Sequence, residues 1–589
     1  MRIMTARFLK QIVFLSAALA ILGCSSGSNS TVTKVPVTPT ITWAAPASVT
    51  YGTALSSIQL DASSGGVAGT FAYSPVIGTV LAAGSQTLSV TFTPTDTADY
   101  TTASGSVTLT VNKATPVITW TPTALIVGSA LGSSQLNASA GSVAGVFAYT
   151  PVSGTLESTV GNIPLSTVFT PTDTTDYTTT NGSATLTVLS ANATIIDFGT
   201  TKQTIRGFGG STAWMPPMST AQSNALFGMV GSQLGLSILR VRIDPSSISG
   251  GANWSTELIN AQEAQAAGTD VSVFATPWTP PAAWKSNDST VMGSLNTSEY
   301  AAYAAYLESF VTYFAKGGGA SGSAGVNLYA ISMQNEPDAN VSYESCVWTG
   351  LQMDTWVANN SSVLTTKLMM PESESFTTSY SDPALDDANA VENISIVAGH
   401  LYGASPFYYT NAENMGKEVW ETEHYLSPAG AQPVMADAIA AAEEIHQSMT
   451  VGQYNAYLWW WLADWNPGTG VTNYGLIDTN SGPTYYGLAI AQFSKFVRPG
   501  YLRVNVPTSP TAGVYVSAYE GEGHSVIVAI NSNASATSLP ILIENQPVTT
   551  LTPYQTTASG GMATLSSVSV SGDTFTYLLP AQSITTFVQ

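Results

Sequence analysis

Charge is the first thing this chain is short of. Only 9% of its 589 residues are charged, and 16 Lys and Arg stand against 37 Asp and Glu, a formal net charge of -21. So few cations make no basic stripe, which argues against nucleic acid and anionic membrane surfaces and favours a neutral partner. Cysteine is nearly missing. Cys24 and Cys346 are the only two, which excludes a disulfide framework in the mature chain; Cys346 reads as a packed thiol. The four histidines, at 400, 424, 446 and 524, miss metal-ligand spacings, so no metal and no other cofactor is expected. GFGG at 207–210 lacks G-x-G-x-x-G spacing and opens no helix. That excludes a dinucleotide fingerprint and leaves a tight passage into a barrel.

Aromatic residues are plentiful: 13 Trp, 26 Tyr and 18 Phe within 44% hydrophobic residues. The chain is therefore not disordered, and its length implies three to five domains. Residues 1–23 read as an export signal. Arg2, Arg7 and Lys10 precede the apolar run IVFLSAALAILG, which is too short for a stable spanning helix. ILGC resembles a bacterial lipobox, which implies acylation of Cys24; Ser25 after it points to the outer membrane or cell surface. The alternative is plain secretion. Contact with a membrane is expected only through that lipid, and a monomer is expected.

Residues 24–40 form a polar tether rich in Ser, Thr and Pro. A repeat of about 77 residues follows: ITW at 41–43 returns at 118–120, and FTPTDTADYTT at 92–102 returns as FTPTDTTDYTT at 169–179. Alternating segments such as QTLSVTFTP predict two all-β domains, 41–112 and 113–189. They resemble bacterial immunoglobulin-like repeats, either spacers or carbohydrate binders. From 190 to 500, strand-like runs alternate with helical stretches, among them 297–317 and 433–451. This predicts a (β/α)8 barrel. The strand candidates are SILRVRI, DVSVFATPW, LYAISMQNEP, TKLMMPE, ISIVAGHLYG, EVWETEHY and AYLWWWL. Short strands return at 501–589, predicting a β-sandwich that the strands near 193–205 can join.

Two strand-like runs end in carboxylates, Glu336 in ISMQNEP and Glu423 in EVWETEHY. A barrel presents its site groups at the C-terminal ends of strands, so residues 87 apart in sequence can converge. Two carboxylates astride a glycosidic bond suffice to hydrolyse it. Aromatic faces that stack on sugar rings surround them in sequence: Trp278, Trp284, Trp348, Tyr402, Tyr425, and the run Trp459, Trp460, Trp461 with Trp465. Strand alternation points Trp460 opposite to Trp459 and Trp461.

The ordered set QTIRGFGGSTAW, LGLSILRVRIDPS, FATPWTPPAAWKSN, ISMQNEPDA, YESCVWTG, LMMPES, AGHLYG, EVWETEHY and QFSKFVRPG resembles glycoside hydrolase family 30, from about 194 to 504. The resemblance implies a retaining mechanism on a (β/α)8 barrel with a side β-sandwich built from both ends of the catalytic module. It makes Glu336 the acid/base and Glu423 the nucleophile, with Glu421 a decoy on the same strand face. Asn335 would bond the sugar 2-hydroxyl. Trp278, His400 and Tyr402 match cleft positions. Arg242, rather than Arg240, would orient the nucleophile.

GHLYG and RPG look most like the xylanase branch. Members specific for glucuronoxylan carry an Arg after the last barrel strand, yet no Lys or Arg occurs here between Lys417 and Lys495. A substrate carboxylate would lack its bidentate partner. The expectation is an endo-β-1,4-xylanase independent of glucuronate. Within the class the rivals are β-1,6-glucan and β-galactan; outside it, a surface carbohydrate-binding protein without turnover.

Overall fold

A computed structural model describes residues 34–246, 252–319, 321–464 and 473–589. The export signal, Cys24, part of the tether and Trp465 lie outside the described residues. Two compact units make up the chain. One takes in the described residues up to Thr119 with Ala140–Phe147 and Val168–Asn181; the other takes in Trp120–Ser139, Ala148–Thr167 and Gly182–Gln589.

The sequence repeat is a structural repeat. Each copy is built on a four-stranded sheet of one order. In the first, Val49–Thr50 is followed by Ala103–Asn112, Gly84–Pro94 and Gly69–Ser74. In the second the order is Leu125–Ile126, Thr180–Leu189, Gly161–Pro171 and Gly145–Thr150. Gly84–Pro94 alternates buried Leu88, Val90 and Phe92 with exposed neighbours, the period of two of a half-buried strand. Trp43 and Trp120 occupy equivalent places, each donating its indole N–H to a carbonyl, of Gln59 and of Gln135.

Eight parallel strands close into a barrel: β1 Gly207–Ser211, β2 Ile238–Ile243, β3 Ser272–Pro277, β4 Ala330–Ser332, β5 Lys367–Ser373, β6 Ile394–His400, β7 Glu418–His424 and β8 Ala456–Trp461. Helices α1 Thr220–Phe227, α2 Ala252–Ala267, α3 Tyr300–Ala315, α4 Gly350–Asn360, α5 Met435–Thr450 and α6 Tyr485–Ser494 interleave with the strands and follow the last. Ser219 and Thr349 cap α1 and α4 through Ser/Thr-x-x-Gln capping boxes, which satisfy otherwise orphaned N–H groups. Inside the barrel, Ile238, Phe274, Ala330, Met369, Ile396, Trp420 and Leu458 form an apolar plug. The polar site lies past it, toward the C-terminal strand ends.

One expectation is corrected here. GFGG is no passage; it is β1 itself. A Cβ on Gly209 would lie 2.0 Å from the Ile238 carbonyl oxygen, so glycine is what lets β1 and β2 approach.

Thr194–Thr204 pairs with Leu502–Asn505 and with Thr537–Glu544. The segment before the barrel thus joins a ten-stranded C-terminal sheet whose own core includes Ile196, Phe198, Val516, Ile541 and Phe587.

Candidate active site

Strand β2 carries the cation that organises the site. Arg240 is fully buried, and a lone buried guanidinium is untenable without partners. It has several. Nη1 donates to Glu423 at the end of β7, Nη2 donates to Asn335 Oδ1 at 2.6 Å, and Nη2 lies 3.1 Å from Glu372 Oε1 on β5. Its guanidinium carbon also sits 4.7 Å from the centroid of the Trp278 ring, a cation–π contact. His400, at the end of β6, completes the cluster. Its Nδ1 lies 3.1 Å from Glu336 Oε1 and 4.0 Å from Glu423 Oε2, and its Nε2 lies 3.8 Å from Glu372 Oε1.

The charges settle one another. Burial works against a charged His400, but Glu423, Glu336 and Glu372 outweigh it and raise its pKa to about 10. Burial would raise Glu372 as well, but Arg240 and His400 draw it down to about 2. Glu336 and Glu423 titrate as a pair. Burial pushes Glu423 up against the pull of His400 and Arg240; at Glu336 burial pushes upward too, but His400, Tyr343 and Arg240 together draw it down. One oxygen of each lies within 4.8 Å of the other.

Backbone geometry aims Glu336. Its φ is 43° and that of Glu372 is 54°, a region that non-glycine residues seldom occupy. The Glu336 N–H donates to the Glu372 carbonyl at 2.9 Å, which locks the two turns together.

Above the carboxylates opens a cleft of about 700 Å³ lined by Trp214, Trp278, Glu336, Tyr343, Glu374, Tyr402, Glu423, Tyr425, Trp460, Trp461 and Tyr474. Tyr402 donates to Glu423 Oε1 at 3.0 Å and Tyr343 to Glu336 Oε2 at 3.1 Å. Trp460 and Trp461 are stacked at 5.4 Å, and Tyr474 stacks on Tyr425 at 4.3 Å. The wall is aromatic and hydroxyl-bearing, suited to a carbohydrate. Glu336, His400 and Glu423 also offer three potential metal-donor atoms. Arg240 already supplies the positive charge these carboxylates face.

Of the residues singled out in the sequence, Glu336, Glu423, Trp278, Tyr402, Tyr425 and Trp461 line the cleft, and Asn335 and His400 lie buried against them. Five expectations are corrected. Arg242 does not touch Glu423; Arg240 does. Arg242 stands two residues further along β2, beyond the level of the carboxylates, and pairs with Glu344 and Asp244. Trp348 is a core residue, buried against Tyr300 and Tyr303. Trp284 packs edge-on against Tyr306 and does not line the cleft. Glu421 does not share a face with Glu423. The register of β7 slips between Glu421 and His424, and buried Glu421 accepts the Leu458 N–H instead. A similar slip between β1 and β8, which leaves Trp460 unpaired between Trp459 and Trp461, sets both Trp460 and Trp461 on the cleft while Trp459 packs on Tyr486. Sequence reasoning missed Trp214, Tyr343, Glu372, Glu374 and Tyr474. Glu372 carried the same signal as the other two acids, a glutamate closing an apolar run.

The description "Glycosyl hydrolase family 30 TIM-barrel domain" matches residues 251–414. The chain is 35% identical over 413 residues to the glucuronoxylanase XynC of Bacillus subtilis (strain 168), spanning 68% of this chain and 92% of that one. Among solved structures it resembles the family 30 subfamily 8 xylanase Xyn30A of Clostridium acetobutylicum, with 40% identity and a TM-score of 0.61 over 68% of this chain and 99% of that one. It also resembles a GH30 endoxylanase of Clostridium papyrosolvens C71, with 38% identity and a TM-score of 0.59 over 67% and 99%.

Proposed function

The chain belongs to glycosyl hydrolase family 30, and on that premise we propose that it is a retaining endo-β-1,4-xylanase that needs no glucuronate side group. The observation that carries the mechanism is the separation of the two acids. Oxygens of Glu336 and Glu423 lie within 4.8 Å of each other, close to the ~5–5.5 Å of a retaining pair and short of the ~6.5–9.5 Å that an inverting enzyme leaves for water. Glu423 is the nucleophile: Arg240 and Tyr402 both donate to it and hold its negative charge as it approaches the anomeric carbon. Glu336, protonated, gives its proton to the leaving glycosidic oxygen. It then takes one from the water that releases the sugar.

The similar proteins named for xylan support the substrate class. Independence from glucuronate is supported by charge. No Lys or Arg lines the cleft among the described residues, and its charged lining residues, Glu336, Glu374 and Glu423, are all acids. Product analysis tests the reading. Purified enzyme should release xylo-oligosaccharides from unsubstituted xylan and arabinoxylan as well as from glucuronoxylan. Release from glucuronoxylan alone, with every product carrying its acid at one fixed position, would overturn the independence.

We further propose that the enzyme is exported and acylated at Cys24, with the two immunoglobulin-like repeats as spacers. Labelling with a fatty acid in an expressing bacterium, lost in Cys24→Ala, is the check.

A further inference from the structure

Arg242 has no part in holding the nucleophile, yet it is nearly as enclosed as Arg240, with 8% of its side chain exposed. Its guanidinium makes a forked contact with Glu344, Nε to Oε2 at 3.0 Å and Nη2 to Oε1 and Oε2 at 2.5 and 2.6 Å, and its Nη1 reaches Asp244 at 2.8 Å. A planar fork on a carboxylate fixes direction as well as distance.

What the fork fixes is the neighbour of Glu344. Tyr343 is 47% exposed, so little packing holds its ring. Its hydroxyl nevertheless reaches Glu336 Oε2 at 3.1 Å. The aim of a half-exposed side chain depends on the backbone that carries it. On the far side, Ser345 is tied to the Thr290 carbonyl, receives the Lys285 ammonium on its own carbonyl, and donates its hydroxyl to the Tyr343 carbonyl at 2.9 Å. Between the two, Glu344 is fastened by its fork on Arg242.

We propose that Arg242 is a positioning residue for proton transfer: through its fork on Glu344 it holds Tyr343 in donating contact with Glu336. This rests on the reading of Glu336 as the acid/base. The two arginines of β2 then divide the work, Arg240 on the nucleophile and Arg242, one step nearer the mouth, on the proton donor.

Glu344→Gln is the telling variant, because Arg242 also lies 5.1 Å from the Trp214 ring centroid and its loss would disturb the cleft wall. kcat/KM reports the first half-reaction. It is compared on a xylo-oligosaccharide, whose leaving sugar needs a proton, and on dinitrophenyl xylobioside, whose leaving group does not. Glu336→Gln serves as reference and should lose at least about a hundredfold on the oligosaccharide and far less on the aryl glycoside. Glu344→Gln should lose about tenfold on the oligosaccharide, through kcat with KM unchanged, and no more than about twofold on the aryl glycoside. In a Tyr343→Phe background the same substitution should cost less than about twofold on either. Equal losses on both substrates, or a full loss persisting beside Tyr343→Phe, would overturn the proposal. If Glu336→Gln itself shows no leaving-group dependence, the acid/base reading fails and takes the proposal with it. Should Glu344→Gln melt early, Arg242→Lys, which keeps the charge but not the fork, carries the same comparison.

Discussion

Arg240 Nη2 donates to Asn335 Oδ1 at 2.6 Å. A guanidinium donating to the oxygen sets which way the amide faces, so that its NH2 is the end turned away from that cation. Asn335 is therefore set as a hydrogen-bond donor beside Glu336, and the proposed mechanism brings a sugar 2-hydroxyl there. Asn335→Ala should lower kcat roughly a hundredfold with a small change in KM, since the bond strengthens only as the anomeric centre becomes cationic. Steady-state kinetics on xylo-oligosaccharides measure it. A rise in KM with kcat preserved would mean that Asn335 serves only ground-state binding.

Arg240→Met leaves Glu372 and Glu423 buried without their cation. Breaking such a cluster from one side costs about 3–5 kcal/mol, so the melting temperature should fall steeply and turnover should vanish. Arg242→Met should spare more of both, because its partner Glu344 can still reach solvent, with 22% of its side chain exposed. Thermal melts and initial rates on the two variants decide between the arginines. Greater loss of turnover with Arg242→Met would return the nucleophile-orienting role to Arg242.

Particular residues show why some of this was legible in the sequence. SILRVRI, ISIVAGHLYG and EVWETEHY are apolar runs interrupted or closed by polar groups, and each became a barrel strand carrying a side chain of the site. Periodicity gives which face a residue takes but not its height. Arg240 and Arg242 share a face, and only the structure ranks them by depth. Alternation also fails at a bulge, which is why Trp460 and Glu421 were placed on the wrong sides. GFGG was opaque because glycine carries no side-chain pattern; its strand exists for the close approach it allows. Trp348 has the composition of a cleft residue and the surroundings of a core one, a distinction that requires knowing its neighbours.

Among the described residues, Glu374 is the one charged residue lining the cleft besides Glu336 and Glu423. Burial and the nearby charges of Glu336 and Asp338 raise its pKa, a sign that further negative charge is unwelcome there. An acidic side group on xylan meets this repulsion. Glu374→Gln should raise the ratio of kcat/KM on glucuronoxylan to that on neutral xylan by about two- to fivefold at low salt, and the gain should shrink in ~0.5 M NaCl as screening sets in. An unchanged ratio at low salt would remove Glu374 from the account of specificity.

His446 links acidity to stability. It lies on α5, 2% exposed, with its ring 5.6 Å from that of Tyr515 in the C-terminal sheet. Its Nδ1 has no hydrogen-bond partner among the described residues. Burial, and then the charge of Arg503, lowers its pKa from 6.5 to about 4. The folded state thus binds this proton less readily than the unfolded chain does. The sign follows: its contribution is fully present above about pH 6.5 and is lost as pH falls toward 4, on the order of 3 kcal/mol across the window. His446→Gln removes the titration while keeping a polar side chain of similar size. Its melting temperature at pH 7 should drop slightly from imperfect packing, but between pH 6.5 and 4 it should fall less steeply than that of the parent. Carboxylates elsewhere titrate alike in both proteins and cancel in the difference. Parallel curves would show that the folded state protonates this imidazole as readily as the unfolded chain does, which would overturn the reading.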